Sequence, residues 1–83
     1  MLTPMNKILL NKSEPMGNGS LLVPFTLDIP STMRLDVPYY DRTQEEHAKA
    51  IEVIGRIKAA LWRSGYDLVT CCFSSMKLTI RKS

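Results

Sequence analysis

One segment constrains the fold more than any other. Thr43 to Tyr66, "TQEEHAKAIEVIGRIKAALWRSGY", carries sustained helical periodicity. Glu46 stands three residues after Thr43, the spacing of a capping box, in which the Thr hydroxyl accepts the N3 amide and the Glu carboxylate reaches back to the N-cap amide. Glu45 and Glu46 suit the positive end of the helix dipole. Ala50, Ile51, Ile54, Ile57, Leu61 and Trp62 form an apolar stripe, while Glu45, Lys49, Glu52, Arg56 and Arg63 fall on the opposite face. Gly65 occupies the position where a left-handed residue stops a helix, and Tyr66 follows, able to cover Leu61. The spacing predicts a helix over about 43–64.

A lone helix with one apolar stripe must lay it on something else, and the rest of the chain offers strands. Phe25, Leu27 and Ile29 alternate with Thr26 and Asp28, and Met33, Leu35 and Val37 alternate with Thr32, Arg34 and Asp36. Pro30–Ser31 between them predicts a hairpin, and Pro24, without an N–H, is expected at a bulge or an unpaired edge position. Val69, Cys71 and Phe73 are expected on one side of a later strand, with Leu68, Thr70 and Cys72 on the other. Met76, Leu78 and Ile80 alternate with Lys77, Thr79 and Arg81, and Ser74–Ser75 is the polar break of a second hairpin. Lys7–Lys12 reads as a short edge strand, residues 1–5 as flexible, and Ser13–Ser20, with Pro15, Gly17 and Gly19, as a mobile loop. The expected fold is α+β in two layers, one amphipathic helix on a four- or five-stranded antiparallel sheet in the order β-β-β-α-β-β. The 83 residues make a single domain, one that buries only about 60–65% of its unfolded surface.

The motifs for chemistry are thin. Gly17-x-Gly19 follows a possible strand but opens no helix, so the context for a phosphate loop is missing. Cys71 and Cys72 are the two cysteines of the chain, and neighbours on a strand point to opposite faces, so they do not converge on one metal as C-x₂-C thiolates do. Cys71 is expected to fill core beside Val69 and Phe73, and Cys72 to lie on the open face. His47 lies at the edge of the apolar stripe; with a cysteine and Asp41 or Asp67 it lacks any surrounding nucleophile motif. Neither an enzyme, a cofactor nor a metal is expected. An apolar run of only three residues, Ile8–Leu10, is far short of a signal peptide or a membrane span, so a cytoplasmic protein without membrane contact is expected.

What remains is surface. The helix leaves one sheet face open to water, and that face is expected to gather Arg34, Lys77, Thr79 and Arg81, opposed by Asp28 and Asp36. Arg56 and Arg63 on the outer helix face are the alternative surface. Eleven Lys/Arg against eight Asp/Glu give a net charge of +3, which permits an acidic partner without requiring one. The expectation is a non-enzymatic module that binds another protein, including a homodimer through an edge strand. A nucleic-acid-binding domain using the basic sheet face is the second expectation. In scale and element order the chain resembles the small accessory proteins of phages and other mobile elements, some of which inhibit host complexes by steric contact. That resemblance implies an inhibitor or adaptor and assigns no residue a role.

Overall fold

The computed structural model describes residues 6–29 and 32–83. The flexibility expected of 1–5 and the turn expected at Pro30–Ser31 concern residues outside this description. One helix packs on a five-stranded antiparallel sheet, and the chain order is β-β-β-α-β-β. The strands are β1 (Asn6–Ile8), β2 (Glu14–Pro15), β3 (Ser20–Leu27), β4 (Tyr66–Cys72) and β5 (Lys77–Lys82), and the helix α1 is Gln44–Arg63. The spatial order is β1-β3-β5-β4, with β2 also paired to β3.

Strand β3 organises the sheet. Its residues Ser20–Pro24 pair with β5 on one side, while Leu21–Leu22 pair with β2 and Phe25–Leu27 with β1 on the other. Pro24 sits at the break between β1 and β2. It has no N–H to give and contributes only its carbonyl, which accepts the Leu9 N–H at 3.1 Å. The expected strand Lys7–Lys12 therefore stops at Ile8, and Leu10–Lys12 forms a 3₁₀ turn instead. Ser13–Ser20 is not a loop throughout. Glu14–Pro15 is laddered, the Met16 N–H donates to the Ser20 carbonyl at 3.0 Å, and Gly17 and Gly19 turn the chain at φ +81° and +85°.

The second half of the expected first hairpin is absent. Met33 and Leu35 pack inward as read, with Leu35 only 3% exposed, but among the described residues 32–38 pairs with no strand. The segment is an extended crossing that closes one end of the core. It is held by the Arg42 guanidinium, whose Nη2 donates to the Leu35 carbonyl at 3.0 Å, and by Glu46, whose Oε2 accepts the Arg34 N–H at 2.7 Å. Alternation reports one-sided burial, and a tether can supply that as well as a ladder can.

The helix begins as its sequence predicts. Thr43 caps it with both bonds of the capping box, the Thr43 N–H donating to Glu46 Oε1 at 2.9 Å and the Glu46 N–H to Thr43 Oγ1 at 3.2 Å. Gly65 ends it at φ +82°. The stripe, however, is centred differently: Ala50, Val53, Ile57 and Leu61 are the buried residues of α1, and Ile51 and Trp62 are 59% and 76% exposed. With Val23, Phe25, Leu35, Phe73, Leu78 and Ile80 the four helix residues complete the core. The Phe25 and Phe73 rings meet edge to face at 6.2 Å, and the Arg42 guanidinium lies over Phe73.

Candidate functional site

The surface left uncovered is defined by β5. Leu78 and Ile80 point into the core, so Lys77, Thr79 and Arg81 point away from α1. Register supplies their neighbours. Lys77 stands between Pro24 and Cys72, Thr79 between Leu22 and Thr70, and Arg81 between Ser20 and Asp67. Farther out, Lys7 lies opposite Thr26 and Glu14 opposite Leu22. The middle of this face, with Leu22, Pro24, Thr70 and Thr79, is therefore neutral, with cations at Lys7, Lys77 and Arg81 beside Glu14 and Asp67. Among the described residues none of these positions is aromatic.

The six residues expected to bind do not share one surface. Lys77, Thr79 and Arg81 are brought together on the bare sheet face. Arg34 is not: it lies in the 32–38 crossing, with its backbone tied to Glu46 at the helix N-terminus. Its expected place depended on a strand that does not form. Asp28 and Asp36, expected beside it, lie beyond β3 and in that same crossing. Arg56 and Arg63 are on exposed helix surface, but Arg56 is held at 3.3 Å by Glu52, which also takes Lys49 at 2.9 Å. Both Glu52 contacts are exposed, so they order the side chains more than they stabilise the fold.

The cysteines divide as expected and differ chemically. Cys71 packs half-buried against the core, and burial pushes its thiol up to about 11. Cys72 is exposed with its Sγ 3.2 Å from Ser74 Oγ; hydrogen bonds from Ser74 and Ser75 lower its thiol to about 7. A shallow cleft of about 290 Å³ beside the two thiols is lined by Val37, Pro38, Arg42 and Phe73. Tyr39 and Tyr40 come directly after Pro38 in a 3₁₀ turn, are 72% and 74% exposed, and stack edge to face at 5.6 Å. Among the described residues no three His, Cys, Asp or Glu side chains gather closely enough to hold a metal ion.

A second surface was missed from sequence. Strand β4 carries a bulge: Leu68 pairs with Ile80 and Thr70 with Thr79, leaving Val69 as the extra residue. The bulge inverts the expected pattern, so Tyr66 and Leu68 pack against the core and Val69 is 51% exposed. Beside them a cleft of about 500 Å³ runs between Lys58, Ala59 and Trp62 of α1 and Tyr66, Asp67 and Leu68 of β4. Part of this could be read in advance. Counting Val53 with Ala50, Ile57 and Leu61 gives a stripe at spacings of three and four that leaves Ile51 and Trp62 on its flank. The bulge has no such signal. Among the described residues no helix is long and apolar enough to cross a membrane. No protein family, no curated protein and no solved structure matches this chain.

Proposed function

We propose that the chain is a non-enzymatic protein-binding module that acts by steric contact, in the manner of small phage or mobile-element proteins that inhibit or adapt a host complex. The observation that carries this reading is the bare sheet face around Lys77, Thr79 and Arg81, with its neutral middle and mixed-charge rim. A flat, neutral-centred face suits a folded partner, and charges at its margin set orientation and encounter rate. The clefts beside the helix and the thiols are shallow, which favours contact over enclosure of a substrate. The expected setting is the cytoplasm, where free thiols stay reduced. Association with a second copy through an edge strand is one form the same binding behaviour takes.

The test is capture from the native cell with purified chain as bait. Lys77→Glu combined with Arg81→Glu lowers capture at least about tenfold while leaving the circular dichroism spectrum unchanged, as rim charges act on encounter and not on the core. Unchanged capture by that variant overturns the assignment of this face. Nucleic-acid binding through Lys7, Lys77 and Arg81 is the competing outcome. It requires binding of generic DNA or RNA that is tight at low salt and collapses toward physiological salt. The absence of aromatic residues from the face removes the stacking platform such binding uses.

A further inference from the structure

Among the described residues the outer edge of β4 ends the strand order, so one row of its backbone N–H and C=O groups has no neighbouring strand. Among the described residues, every backbone hydrogen bond made by Tyr66–Cys72 is to β5. We propose that a second copy of this chain occupies this edge, the two β4 strands pairing antiparallel about a twofold axis that passes between Val69 and Thr70 and joining two sheets into one.

The register follows from the bulge. Residues opposite one another in an antiparallel pair share a face. Tyr66, Leu68, Cys71 and Phe73 face the helix layer, while Asp67, Thr70 and Cys72 face away and Val69 is exposed. With the axis between Val69 and Thr70, Leu68 meets Cys71 of the second copy, Asp67 meets Cys72, and Val69 meets Thr70. Every pairing is like with like. Moving the axis by half a residue sets helix-facing side chains opposite outward ones along the pair, and moving it by one residue does so at its centre, setting Leu68 against Val69 or Thr70 against Cys71. A bulge ordinarily blunts an edge by opposing two residues to one. About this axis each bulge meets the other, two residues against two, and the mismatch disappears.

The ends of β4 point the same way. At its start lies the cleft walled by Trp62 and Tyr66; at its end lie Cys71–Ser74 and the segment that leads through Pro38 to Tyr39 and Tyr40. A twofold axis through the middle of the strand brings the start of one copy to the end of the other. The exposed tyrosine pair of one chain then approaches the exposed tryptophan cleft of its mate. Aromatic side chains bury about 150–250 Å² each, so three that are about three-quarters exposed offer on the order of 400 Å² per copy. That is roughly half of the ~800 Å² per partner of a stable interface, and Val69 with the edge backbone adds to it. Both helices lie on one side of the joined sheet, and the two bare faces form one continuous surface on the other. The dimer thus rests on the contact-binding reading above and adds bivalence to it.

Sedimentation equilibrium from about 1 μM to about 1 mM, a range that covers weak and moderate interfaces, reads the association. A monomer–dimer equilibrium is expected, weakened at least about tenfold by Trp62→Ala and by Val69→Lys, with helix and strand content unchanged. A strict monomer throughout, or a dimer indifferent to both substitutions, overturns the proposal. The register has its own test. Asp67→Cys places a thiol opposite Cys72 of the second copy, with Cα atoms about 4.5–5.5 Å apart, inside the range a disulfide spans. Diamide then takes two electrons and two protons from each thiol pair, its N=N bond becoming a hydrazine, and yields a covalent dimer. Adding Cys72→Ser abolishes it. Wild type gives none through Cys72, because its two Cys72 residues lie about 17 Å apart. A dimer in which Asp67→Cys fails to crosslink overturns this axis. A monomer that still captures its partner sinks the dimer alone, and a dimer that captures nothing sinks the contact-binding reading alone.

Discussion

Cys71 and Cys72 show how one residue of offset decides chemistry. Both thiols belong to the same strand, yet burial raises one to about 11 while two serines lower the other to about 7. The separation of the pair into an inward and an outward thiol follows from strand alternation alone. The reactivity of Cys72 does not, because it depends on where the Ser74–Ser75 turn carries its hydroxyls. In dilute solution the alkylation rate of Cys72 by iodoacetamide should rise with pH about a midpoint near 7, and Ser74→Ala should move that midpoint toward the ordinary thiol value of 9.0. Cys71 should react only on unfolding. A midpoint unmoved by Ser74→Ala would show that Ser74 does not hold the thiolate. At concentrations where the edge pairs, Asp67 of the second copy faces the thiolate and slows the reaction.

At the scale of the element, Glu46 matters most. Its two carboxylate oxygens do separate work: one closes the capping box on Thr43 and the other anchors the 32–38 crossing through the Arg34 N–H. These backbone hydrogen bonds, Thr43 first, lower its pKa from the ordinary 4.5. A depressed folded value means that the contribution is present above the unfolded value and is lost as the pH falls through the folded one. Glu46→Gln should therefore destabilise the chain at neutral pH and flatten the acid limb of its stability curve, as read by urea melts between about pH 7 and pH 3. Thr43→Ala should cost about 1 kcal/mol and leave the acid limb in place, since the Arg34 anchor survives. An acid limb of wild-type slope in Glu46→Gln would remove Glu46 as its source. The capping box was plain in the sequence because it is local. The anchor was not, for it joins residues twelve apart in a segment whose alternation imitates a strand. The helix stripe shows the same limit: the period was readable, and its centre moved from the Ile51–Trp62 side to Val53 once the sheet chose a face.

The whole molecule measures 35 × 32 × 18 Å, a slab whose short dimension holds one helix layer and one sheet layer. Among the described residues ten buried apolar side chains form its core, and a domain of this size gains little margin from that alone. Of the large apolar groups that the core does not claim, Trp62, Val69 and the tyrosine pair lie along the β4 side and its two ends, while Ile51 and Met16 are exposed as well. If the second copy covers the β4 groups, association is linked to folding, and wherever the dimer is populated the melting temperature rises with concentration. A tenfold rise in protein is worth about 1.4 kcal/mol per dimer, or about 0.7 kcal/mol per chain. For a chain of this length that raises Tm by about 3–5 °C. Differential scanning calorimetry over two decades of concentration should show this shift in the wild type and lose it in Val69→Lys. A Tm independent of concentration would mean that the slab is stable by its own core and gains nothing from a second copy.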